Sequence, residues 1–109
     1  MTLHQFCRDV GARMTSIEKR GLTGVLSFGL EVNSGRPKKG YCRFHGRSVL
    51  RRSHIEAERP SKMLDMCYRE ALQLDSRFFG RVEVEYVIFE GNVVDTKTLV
   101  AQTFACVGS

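Results

Sequence analysis

The hydrophobic period of this chain changes at Gly21, from steps of three and four residues to steps of two, and an all-helical or all-strand fold satisfies only half of that pattern. Before the change, Leu3, Phe6, Cys7, Val10, Met14 and Ile17 share one face of a helix, while Arg8, Asp9, Arg13 and Lys19 point away. Thr2-Leu3-His4-Gln5 reads as a capping box, which starts the helix. Lys19, Arg20 and Gly21 place cations at its negative end and a residue tolerant of left-handed backbone just beyond, so it is expected to end at Arg20. After the change, Leu26, Phe28, Leu30 and Val32 alternate with Val25, Ser27, Gly29 and Glu31, the signature of a half-buried strand whose outer side is small.

The alternation repeats further on. Asn33-Ser34-Gly35-Arg36-Pro37 is dense in turn residues, and a second strand is expected from Gly40 to Arg51, beyond a proline that cannot donate to a ladder. Cys42, Phe44, Ser48 and Leu50 fall on one side of it, and Tyr41, Arg43, His45, Arg47 and Arg51 on the other. Arg52 to Arg59 is a polar connection, and Pro60 suits the first turn of a second helix with a stripe of Met63, Leu64, Cys67, Tyr68, Ala71 and Leu74. Arg81 to Glu90 has the strongest strand propensity, and Glu90-Gly91-Asn92 turns the chain. The last segment fits a strand beginning at Val93, turning helical later. No internal repeat is evident. The order helix, hairpin, helix, strand, then strand or helix implies a single α+β domain over residues 1–109, its largely antiparallel sheet covered by two helices on one face.

Charge narrows the functional classes. Between Arg36 and Arg59 lie eight basic residues and two acidic ones, a formal charge of +6 in a chain whose total is +5, so the remainder is slightly acidic. Charge gathered in one segment presents a directional field to phosphates or to an acidic partner. On a strand, Tyr41, Arg43, His45 and Arg47 project from one side over about 20 Å. Arginine suits bidentate phosphate contacts, Lys38 and Lys39 add long-reach charges, and Tyr41 and His45 offer stacking surfaces. Arg36, Lys38, Lys39, Tyr41, Arg43, His45, Arg47, Arg51 and Arg52 are therefore the candidate contact residues. The first reading is a small non-enzymatic protein that binds DNA or RNA. The second is a module or inhibitor docking this strand on an acidic protein surface, including one that itself holds nucleic acid. The bland reading is an edge strand whose cations discourage aggregation.

Other chemistry has weaker support. Glu83, Glu85 and the Asp95-Thr96-Lys97 triplet can be drawn as a metal-assisted nuclease, and His45 with His54 as a metal-free ribonuclease, but alternating glutamates and isolated histidines are ordinary on polar surfaces. Cys42 and His45 have a zinc-pair spacing, yet an offset of three sends them to opposite faces of a strand. Cys7, Cys42, Cys67 and Cys106 read as reduced thiols acting as small hydrophobes. Neither a nucleotide-cradling glycine motif nor a serine nucleophile elbow occurs, and no cofactor is implied. No apolar run approaches the ~20 residues of a membrane span, and Arg8 and Asp9 interrupt the stretch a secretory signal needs, so a cytoplasmic protein is expected. Homodimerisation is a further expectation, through pairing of an exposed Arg81 to Glu90 strand with its copy.

Overall fold

A computed structural model describes residues 2–50 and 55–103. The elements follow the order α1 (Leu3–Arg20), β1 (Gly24–Asn33), β2 (Arg36–Gly46), α2 (Pro60–Leu74), β3 (Gly80–Phe89) and β4 (Asn92–Gln102). The four strands form one antiparallel sheet in the order β2-β1-β3-β4. The expected α+β class and element order hold, and the final segment is strand through Gln102.

Local chemistry explains the elements. The Gln5 N–H donates to Thr2 Oγ1 at 3.2 Å, and the left-handed Gly21 closes α1 with N–H bonds back to the last turn. Phe6, Val10, Met14 and Ile17 of α1 and Leu64, Cys67 and Ala71 of α2 are buried against one face of the sheet. That face consists of Leu26, Phe28, Leu30 and Val32 from β1 and Val82, Val84, Tyr86 and Ile88 from β3. Phe28 and Tyr86 meet edge to face at 5.3 Å between ring centres.

The second strand begins earlier than its composition suggests. Ser34 (φ 51°) and Gly35 (φ 79°) make a two-residue turn with positive φ at both positions, the mirror-image geometry that matches strand twist. Pairing therefore starts at Arg36, and Pro37 lies in the ladder opposite Val32, where a bulge and the outer edge remove the need for its missing N–H. The strand ends at Gly46, short of the expected Arg51.

The structure does contain an internal repeat. One interval separates Gly24 from Gly80, the turn Ser34-Gly35 from Glu90-Gly91, and the β1–β2 bulge from the β3–β4 bulge. Two αββ units are thus related by an approximate two-fold axis passing between Phe28 and Val84, which pair in the β1–β3 register. The units clasp each other at equivalent points: Gly35 N–H donates to Phe78 O at 2.8 Å, and Gly91 N–H to Leu22 O at 2.9 Å. The connection to α2 ends on the helix-covered side of the sheet, where the Glu58 carbonyl accepts from the Tyr86 hydroxyl at 2.6 Å.

This arrangement corrects one expectation. The β3 strand, placed at an edge for homodimer pairing, lies between β1 and β4, so its backbone is already paired on both sides. Among the described residues only β2 and β4 are edges.

Candidate functional site at the β2 edge

The register decides what surrounds each β2 side chain. Cys42 and Phe44 turn toward the helices, and Gly40 lies under the Phe6 ring, whose Cδ2 would stand 2.4 Å from any added Cβ. Lys39, Tyr41, Arg43 and His45 consequently project on the face that carries no helix. Across that face run four rows: His45, Val25, Val87 and Asp95; Arg43, Ser27, Glu85 and Lys97; Tyr41, Gly29, Glu83 and Leu99; Lys39, Glu31, Arg81 and Ala101. The cationic strand is therefore flanked by carboxylates that belong to β1 and β3.

Tyr41 shows the consequence most directly. Gly29 leaves a notch in which a Cβ would lie 2.6 Å from the Tyr41 oxygen, and the ring crosses it to donate a 2.7 Å hydrogen bond to Glu83 Oε1. Burial first, then this bond and the Glu83 charge, push the Tyr41 hydroxyl well above the usual phenolic range. Arg43 stands over the same ring at 5.9 Å from its centre. Tyr41 is thus held in place by its neighbours. Arg47, just past the end of β2, approaches Glu85 at 3.6 Å, an exposed pair of small energetic weight.

The remaining candidates are distributed around this row. Lys38 occupies the bulge and lines a depression at the hairpin end of the sheet. Arg36 begins the strand beside α2, where its charge acts on the Tyr68 hydroxyl; that hydroxyl donates to Gly35 O. Arg51 and Arg52, like His54 and Cys106, lie outside the described residues. Cys42 is half-buried on the helix side and His45 exposed on the other, so they do not converge. Burial raises the Cys7, Cys42 and Cys67 thiols above their usual range, which favours the unreactive protonated form. Among the described residues no group of three or more His, Cys, Asp or Glu side chains is placed to hold a metal ion.

Sequence reasoning missed two members of this surface. Arg81 of β3 stands in the row beside Glu31 and Lys39 and acts on Tyr41. Phe79, the residue before β3, is 39% exposed while its neighbour Phe78 is fully buried. The pair Phe78-Phe79 carried a signal, since adjacent side chains entering a strand cannot both face one core. Arg81 carried none without the strand order. No helix among the described residues is long and apolar enough to cross a membrane. Comparison with protein-family models, with curated proteins and with solved structures gives no match, so the site stands on its own geometry.

Proposed function

We propose that this domain binds the phosphodiester backbone of nucleic acid along the β2 edge. One observation carries the reading: from Arg36 to Arg47 the edge strand and its exit hold five basic residues and no acidic one, whereas the equivalent stretch of β4, Asn92 to Thr103, holds only Asp95 and Lys97. An edge strand needs only an occasional charge to prevent pairing. Five along a strand rising about 3.3 Å per residue supply a line of donors that matches a repeating polyanion. Lys38, Lys39 and Arg43 are exposed at this edge, and Arg47 requires only the release of a weak surface pair to join them.

A second reading has its own support. The exposed cations Lys38, Lys39 and Arg43 equally suit an acidic protein surface, and Glu31, Glu83 and Glu85 beside them would pair with basic residues interspersed on it.

Fluorescence anisotropy with labelled oligonucleotides at about 50 and 200 mM salt separates the two. If five phosphates are contacted, affinity falls roughly 500-fold over that range for a duplex and roughly 130-fold for a single strand, and Arg43→Ala lowers the log–log salt slope by about 0.9 or about 0.7 respectively. Arg47→Ala lowers it less because Glu85 already holds part of that charge. Absence of binding at the lower salt would turn the reading to the acidic protein.

A further inference from the structure

The basic edge ends beside a depression that the phosphate reading leaves unused. It encloses about 520 Å3 at the hairpin end of the outer face and is lined by Lys38, Glu31, Arg81, Phe79, Ala101 and Thr103 among others. A second depression of about 330 Å3 adjoins it through the shared residues Glu31 and Arg81 and continues along Lys39, Tyr41 and Arg43. The first volume falls in the range of small-molecule sites. Together they form a groove that runs from an aromatic end to a cationic edge.

Phe79 gives the groove its chemistry. Phe79 is 39% exposed, its sequence neighbour Phe78 being the one that enters the core, and it lines the depression together with the cations Lys38 and Arg81. The backbone beneath it is fixed, because Thr103 N–H donates to Phe79 O at 2.8 Å as β4 closes on β3. Lys38 and Arg81 line the same depression and offer cations to the phosphates adjoining a stacked base. Glu31 offers a carboxylate acceptor to the amino or imino hydrogens of a base edge.

Resting on the nucleic-acid reading of the β2 edge, we infer that the domain prefers single strands and that Phe79 stacks on an unpaired base while Lys38 and Arg81 hold the adjoining phosphates. A duplex cannot make this contact, because its base faces are covered by their neighbours and only an unpaired nucleotide presents a free π face. The groove thus sets a strand preference that cations alone leave open.

The test compares the intact protein with Phe79→Ala, Phe79→Tyr and Arg81→Ala, each checked by thermal unfolding. Anisotropy is read on one short sequence as single strand, as duplex, and as a single strand of abasic residues. The expected result is tighter binding of the single strand than of the other two, a loss of about 5- to 150-fold for Phe79→Ala on the base-bearing single strand only, and retention by Phe79→Tyr. The salt slope stays constant in Phe79→Ala, because stacking releases no counterions, and falls in Arg81→Ala. Equal binding of all three ligands, or no effect of Phe79→Ala, would overturn the stacking site while leaving the basic edge standing. No binding of any oligonucleotide at low salt would overturn both.

Discussion

The two αββ units share a backbone plan and differ in what they display. In each, a glycine opens the inner strand, a two-residue turn with positive φ follows, and a bulge offsets the outer strand at the same point. The helix-facing rows are equivalent too: Leu26, Phe28, Leu30 and Val32 in the first unit stand where Val82, Val84, Tyr86 and Ile88 stand in the second. On the outer face the correspondence ends. Tyr41 and Arg43 of β2 match Lys97 and Leu99 of β4, and Glu31 matches Val87. Core rows and turns are what the two-fold plan requires. The freedom left over is on the outer face and at the edges, and there the first unit has concentrated positive charge.

The backbone equivalence is broken most severely at the opening glycines. A Cβ on Gly24 would stand 2.3 Å from His45 O, and one on Gly80 would stand 2.1 Å from Ala101 O, both backbone atoms that cannot swing aside. Gly24→Ala and Gly80→Ala should each cost about 3 kcal/mol in urea unfolding, and by similar amounts. A loss in one and not the other would show that the two hairpins are not held alike.

A second contrast lies inside the core, where the second unit carries a titratable group opposite a purely apolar one in the first. Burial, followed by the nearby Glu58 and Cys67, pushes the Tyr86 hydroxyl up to about 12, while the equivalent Leu30 cannot ionise. A phenol whose folded pKa lies above its unfolded value of about 10 leaves stability unchanged below pH 10, and stability then falls as pH rises toward about 12. The native protein should therefore lose about 1.4 kcal/mol at pH 11 through this residue alone. In Tyr86→Phe that part of the alkaline limb should vanish, although the variant starts about 1 kcal/mol lower at neutral pH for want of the bond to Glu58 O. Parallel alkaline limbs for the two proteins would place the titration elsewhere.

The smallest expected effect sharpens the comparison on the surface. Glu31 sits between Lys39 and Arg81 in its row, whereas its counterpart Val87 is neutral. Glu31→Gln keeps the shape and removes a repulsive charge, and should raise oligonucleotide affinity about threefold with stability unchanged. A fall in affinity would mean that the Glu31 carboxylate itself accepts hydrogen bonds from the ligand, and no change would mean that this row does not face it.

Much of the fold was legible because helices and strands advertise themselves locally. The apolar spacing and cap residues of α1 and the alternation of β1 and β3 were read from neighbours a few residues apart. The start of β2 at Arg36 is not legible in the sequence because Pro37 normally excludes a strand, and only the edge position and bulge make it harmless. The repeat was hidden because the units share little beyond turn glycines and an apolar rhythm. The candidate cations were visible as a run, but their setting was not: alternation tells which way Tyr41 points and nothing about whether Glu83 or a lysine lies two strands away. Strand order is a long-range property, and with it came the carboxylates, Arg81 and the groove at Phe79.

The measurement that tests the basic edge most directly is amide chemical-shift mapping of the labelled protein titrated with a short oligonucleotide at low salt. The account predicts shifts concentrated in Lys38 to Arg47 of the first unit, with Asp95 to Leu99 of β4 and the exposed helix faces unmoved. Shifts centred on β4 or the helices, or none at all, would contradict it.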